Sequence, residues 1–189
     1  MRKITLLLHT TLDGFVAGPN GEMDWIKIDS EIFDLVGNLT NDADTALYGR
    51  VTYEMMDSYW PDAGSQPNAT KHDIEHSRWY NKVNKVVLSK TLKSNEANKL
   101  AVIAGNVLHE IEKLKSQPGG NILIIGSPGA AHSLMEHNLI DEYWLFVNPI
   151  ILGKGIPAFA KIMNKVILQL VTGKVLSCGV TALQYTVVR

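Results

Sequence analysis

Gly49-Arg50-Val51-Thr52-Tyr53-Glu54 follows directly on the apolar Ala46-Leu47-Tyr48, so a strand runs into a glycine, a guanidinium and a hydroxyl. A glycine lets the backbone approach a ligand, the open N–H groups of a helix's first turn face an anion, and arginine adds a two-pronged grip on phosphate. That combination suits the phosphates of a nucleotide. A plain turn followed by a surface arginine has the same letters, and these six residues leave both readings open. His72-Asp73-Ile74-Glu75-His76 places two imidazoles at i and i+4 on one helix face, in the H-x-x-E-H form of inverted zinc peptidases. Zinc would need a third ligand from a later helix, which no downstream segment supplies, and Lys71, Ser77 and Arg78 suit a solvated face. No metal is expected. His9, His109, His132 and His137 lack ligand spacing and read as structural or surface residues.

The chain of 189 residues fits one domain, 1–189, long enough to bury a substantial core. Its composition, 46% hydrophobic and 20% charged, is that of a soluble globular protein. With 18 basic and 19 acidic side chains the net charge is -1, so no basic field exists to hold nucleic acid. The apolar run after Met1 is broken by Thr5, His9, Thr10, Thr11 and Asp13, too early for a signal or a membrane span. The lone Cys178 cannot form an internal disulfide, which suits a reducing cytoplasm.

The elements that must position these residues follow from spacing. Ile4 to Leu12 reads as a first strand, with a long loop from Asp13 to Trp25 after it. Asp29 or Ser30 caps a helix whose Ile32, Leu35, Val36 and Leu39 share one face. Ala43 to Tyr48 is a strand, Arg50 to Met56 a short helix, Trp60 to Asn68 a loop, Lys71 to Lys82 a helix and Lys85 to Ser89 a strand. Leu100 to Ile103 reads as a shorter strand, and Asn106 caps the helix bearing Val107, Ile111 and Leu114. Asn121 to Ile125 is apolar throughout, as a central strand covered on both faces would be, and Gly126-Ser127-Pro128-Gly129 turns it into a further helix. Asp141 to Ile151, Lys165 to Leu176 and Gly179 to Val188 are strand-like without helices between them. The pattern predicts one α/β sheet of about eight strands, mixed but mostly parallel, sandwiched by helices and closed by an antiparallel carboxy-terminal hairpin.

Five spaced segments, taken in order, resemble the dihydrofolate reductase superfamily, and within it the carboxy-terminal reductase domain of the riboflavin-biosynthesis protein RibD. They are Thr11-Leu12-Asp13-Gly14, Leu47 to Glu54, Asn84 to Leu92, Ile124 to Gly129 and Pro149 to Gly155. The resemblance implies a dihydrofolate reductase-like three-layer α/β/α sandwich that binds NADPH across the carboxyl edge of its sheet. By position, Gly49, Arg50 and Thr52 would hold phosphate, with Arg50 at the 2′-phosphate, and Ser89 and Lys90 would flank the adenosine. Gly126, Ser127, Gly129 and Ala130 would approach the pyrophosphate and nicotinamide ribose, with Ser127 where many relatives have a second glycine. Val16 and Ala17 would lie on a mobile lid over the nicotinamide.

For catalysis the resemblance points to a carboxylate early in the first helix, within Asp29 to Glu31, with Asp13 as another candidate acid. Asp29 has a competing task as a helix cap, and Asp13 as a turn-former with Gly14. Tyr59-Trp60-Pro61 stands where RibD reductases carry a ribose-phosphate-binding segment, and its rings either stack on a planar heterocycle or close the core. The implied function is an NADPH-dependent reductase of a small pyrimidine- or pterin-like heterocycle, acting as a homodimer. The alternatives are the riboflavin-pathway 5-amino-6-(5-phosphoribosylamino)uracil reductase and a nucleotide-binding module without catalysis. The strands Tyr143 to Ile151 and Thr181 to Val188 are the expected two-fold contact.

Overall fold

In the computed structural model, which describes residues 1–189, the chain begins with β1 (Ile4–Thr11), β2 (Phe15–Ala17), α1 (Ser30–Asn41), β3 (Ala43–Gly49) and α2 (Arg50–Asp57). It continues through α3 (Trp60–Ala63), α4 (Lys71–Lys82), β4 (Asn84–Leu88), β5 (Leu100–Ile103), α5 (Val107–Ser116), β6 (Asn121–Ile125) and α6 (Pro128–Glu136). β7 (Glu142–Asn148), β8 (Ile156–Pro157), β9 (Leu168–Val175) and β10 (Thr181–Val187) complete it. One 8-stranded sheet has the order β5-β4-β3-β6-β1-β7-β10-β9. From β5 to β7 neighbours run parallel, and β10 then pairs antiparallel with both β7 and β9. This is the dihydrofolate reductase-like α/β architecture the sequence implies, with helices on both faces.

The two faces follow from strand alternation. Ile4, Leu6 and Leu8 of β1 point to one side, where Ile111 of α5 and Ala131, Leu134 and Met135 of α6 cover them. Leu7 points to the other, against Ile32 and Val36 of α1. Tyr48, Tyr53 and Tyr80 extend that second layer over β3 and β4. At the amino edge Asp141 accepts bonds from Ile4 N, Lys115 Nζ and Arg189 Nη1, while Arg2 joins Asp44, Thr45 and Gly120. Ion pairs brace that edge, and the turns from strand into helix lie at the opposite, carboxyl edge.

Three local expectations change. The loop after β1 contains β2, which pairs with β8. The segment after α2 contains the short helix α3. Asn106 precedes α5 but in a left-handed conformation with no side-chain cap. β7 and β10, the strands expected at a two-fold contact, pair with each other along Glu142 to Val147 within the chain. β5 and β9 are the two edge strands, and on β9 Leu170, Val171 and Val175 are exposed.

Candidate functional site

At the carboxyl edge of the sheet β3 and β6, which are neighbours, each end in a turn that starts a helix. Gly49 is the N-cap of α2 in extended conformation, and no side chain caps that helix. Ser127 is the N-cap of α6 and also leaves its own helix uncapped. Both Gly126 (φ 63) and Ser127 (φ 62) are left-handed. At a non-glycine such backbone costs on the order of 1 kcal/mol or more and persists where the surroundings compel it. What compels it is visible: the buried Ser127 Oγ accepts the Gly49 N–H at 2.5 Å, tying the two turns together. The expected second glycine is absent, yet the left-handed geometry of that position is kept. Gly129 and Ala130 lie in the first turn of α6, and Arg50 and Thr52 in the first turn of α2, so the amides of both turns gather at one edge.

Arg50 is not free in this structure. Its Nη1 donates to both Glu54 carboxylate oxygens, at 3.1 and 2.8 Å, and both side chains are about half exposed. An exposed i,i+4 pair of this kind is worth only ~0.3–0.5 kcal/mol, so an incoming phosphate can take the guanidinium from Glu54. Further along the edge Ser89 Oγ accepts Thr91 N and Leu92 N, both at 3.1 Å, holding the turn that carries the exposed Lys90.

Val16 and Ala17 are less lid-like than expected. Both are buried, Val16 within the core that includes Leu6 and Leu8, and β2 is pinned against β8. A Cβ at Gly155 would sit 2.2 Å from the Ala17 carbonyl oxygen, so only glycine lets the two segments pass. The irregular stretch that follows β2 is anchored by the fully buried Asn148, whose Oδ1 accepts Lys27 N at 2.9 Å.

The three candidate carboxylates sit at this edge, each already engaged. Asp13 accepts the Thr11 hydroxyl at 2.6 Å, Gly153 N at 2.7 Å and Leu152 N at 3.2 Å, which joins the turn after β1 to the segment after β7. The Thr11 hydroxyl chiefly, then those backbone donors, hold its carboxyl below the ordinary value. Asp29 caps α1 by accepting Ile32 N at 2.9 Å and also takes Ser177 Oγ and Cys178 N, so its carboxyl is lowered as well. Glu31 binds Lys174 Nζ and Ser177 N, both at 2.7 Å, and the lysine brings it down to about 2. All three are anions that fasten loops, and none has a proton to give at neutral pH.

On the α1 side the H-x-x-E-H imidazoles are packing groups. His72 stacks on Phe33 with centroids 3.7 Å apart, and His76 lies against Trp60 at 4.0 Å and Trp79 at 5.1 Å. Burial pushes His76 down to about 3, so it is neutral, and Glu75 faces Lys71 instead. No group of three or more His, Cys, Asp or Glu could hold a metal ion. Trp60 therefore closes the core, while Tyr59 is half exposed with its hydroxyl 3.4 Å from Asp73. His9 was not singled out by its spacing. It lies near the end of β1, stacked on Phe146 at 5.0 Å, and burial brings it to about 4. No helix is long and apolar enough to cross a membrane.

Residues 2–182 match the family model of the RibD C-terminal domain. The chain is 34% identical over 187 residues to the uncharacterized protein YyaP of Bacillus subtilis strain 168, covering 97% of this chain and 94% of that one. Among solved structures, a protein assigned to riboflavin biosynthesis from Shewanella sp. PV-4 superposes with a TM-score of 0.74 at 22% identity, over 99% of both chains. The diaminohydroxyphosphoribosylaminopyrimidine deaminase/5-amino-6-(5-phosphoribosylamino)uracil reductase of Thermotoga maritima gives 0.68 at 14% identity, covering 99% of this chain and 57% of that one. At these identities the structural likenesses speak for the fold alone.

Proposed function

The chain belongs to the RibD C-terminal domain family, and on that premise we propose that it is an NADPH-dependent reductase of a small planar heterocycle, pyrimidine- or pterin-like, in the cytoplasm. One observation carries the reading: two helix starts on neighbouring strands are held together by the Gly49 N–H to Ser127 Oγ bond, and both leave their first amides uncapped. The donor set fits a dinucleotide, with paired phosphates at the two turns and a further phosphate at Arg50, beside Lys90 and Ser89. A reduced nicotinamide supplies the hydride when bound. Gly49 and Thr52 on one side, and Gly126, Ser127, Gly129 and Ala130 on the other, would orient it. β2, with Val16 and Ala17, would form a fixed wall, leaving any covering motion to the residues that follow it. Because Asp13, Asp29 and Glu31 are anionic, they would act by holding the loops around the acceptor and not as general acids.

The test is loss of reduced-nicotinamide absorbance across a panel of pterins and pyrimidines that includes the phosphoribosylaminopyrimidine of riboflavin biosynthesis. The reading expects turnover with an unphosphorylated ring, since the segment from Met55 to Thr70, which holds Tyr59-Trp60-Pro61, has no Lys, Arg or His to bind a ribose phosphate. Turnover confined to the phosphoribosyl compound would instead identify the riboflavin-pathway uracil reductase. NADPH binding with no oxidation anywhere in the panel would leave a nucleotide-binding module. A homodimer would form through the open edge of β9, and light scattering showing monomers at micromolar concentration would remove that part.

A further inference from the structure

We propose that Ser127 is a positioning residue that makes the two turns one phosphate site: its Oγ accepts the Gly49 N–H, and its O–H proton is left for a phosphate oxygen of the bound dinucleotide. This rests on the cofactor reading above. A serine hydroxyl has one proton to donate and two lone pairs to accept with. Gly49 N uses one lone pair at 2.5 Å and is the hydroxyl's hydrogen-bond partner within the chain. A serine at an N-cap ordinarily accepts an N–H from the first turn of its own helix. The left-handed backbone of Ser127 (φ 62, ψ 60) carries the hydroxyl across to the neighbouring strand instead, and Pro128 has no N–H to offer. The serine thus spends its acceptor on joining the turns and leaves the amides of Gly129 and Ala130 uncapped.

The glycine at 49 bears on the same bond. Its φ of -84 and ψ of 162 suit any residue, so its backbone does not call for glycine. A Cβ there would stand 3.1 Å from Ser127 Oγ, whereas the next atoms, Ala130 N and Ala130 Cβ, are at 3.7 and 3.8 Å, ordinary contact distances. Within the chain, the atom that a Cβ at 49 would crowd is thus the serine hydroxyl. A methyl at 49 disturbs the site only while that hydroxyl is present.

The pairing is tested with Ser127→Gly, Gly49→Ala and the double variant, measuring NADPH affinity by fluorescence titration and amide exchange at residue 49. Ser127→Gly should weaken NADPH about tenfold, keep or raise thermal stability because glycine relaxes the left-handed turn, and speed exchange of the Gly49 amide in the ligand-free protein. Gly49→Ala should weaken NADPH in the wild-type background and have no further effect in Ser127→Gly. Additive losses, or wild-type affinity in Ser127→Gly, would overturn the inference while leaving the cofactor reading intact. A serine of merely structural value would lower thermal stability and leave affinity alone, which also overturns it. A wild-type chain that binds no NADPH removes the cofactor reading and this inference together.

Discussion

α1 and α4 begin with first-turn N–H groups bound by their own side chains: Asp29 accepts Ile32 N, and Thr70 and Asp73 form a reciprocal capping box. α2 and α6 begin at the same edge of the sheet with no side-chain cap. The difference separates first turns that the fold itself completes from first turns that it leaves open. On the α1 side every candidate group is already engaged. Asp29 and Glu31 fasten the β9–β10 turn through Ser177, Cys178 and Lys174, and the imidazoles of α4 are stacked among rings. On the α2 and α6 side the one strong contact, Gly49 to Ser127, joins two open ends. α5 also lacks a side-chain cap, but it follows the edge strand β5 and has no such link, so an open end alone marks nothing.

The comparison can be strained hardest by acid. Burial holds His9 at about 4 and His76 at about 3, so the folded chain refuses protons that the unfolded chain takes up below the ordinary histidine value near 6.5. Stability should therefore fall as pH drops from about 6.5 towards 4, by about 3 kcal/mol for each ring. Glu31 has the opposite kind of partner, and its contribution is lost only as pH falls from about 4.5 towards 2. Urea unfolding at pH 7 and pH 4.5 checks this, and His76→Leu should remove roughly half of the acid loss. An equal loss in that variant would mean the imidazole is not held neutral.

Asp29→Ala comes next. It removes the α1 cap and two bonds to the β9–β10 turn, at an expected cost of about 2 kcal/mol in denaturant unfolding, with NADPH affinity within about twofold of wild type. A large fall in turnover without loss of stability would instead return Asp29 to a catalytic role. Arg50→Ala should do the reverse. NADPH should weaken about tenfold, NADH much less, and stability hardly at all, because the pair with Glu54 is exposed. Thr70→Ala should give the smallest change, about 1 kcal/mol of stability and none in nucleotide affinity.

The sheet was legible because its signals are local. The unbroken apolar run Asn121 to Ile125 marks a strand covered on both faces, and α4 occupies the residues read as a helix, Lys71–Lys82. The two turns were also legible, as a glycine and a guanidinium after one strand and two glycines after another. Contacts between residues far apart in sequence were not. The bond from Asp13 to Gly153 spans 140 positions, and nothing near Asp13 tells a loop clamp from an acid. The β2–β8 pair is only a few residues long, too short for an alternating pattern to show. For Ser127 the letters suggested a departure from glycine, while the left-handed backbone and the hydroxyl's partner at Gly49 exist only once β3 and β6 lie side by side.

The most direct measurement is an NADPH titration of the isotope-labelled chain followed by backbone amide resonances. The amides of residues 49–52 and 126–130 (Pro128 has none) should shift together and saturate with one affinity, while Ile32 and Asp73, whose N–H groups are bound by caps, stay in place. Shifts centred on α1 and α4 with the two turns unmoved would contradict the assignment of the groove.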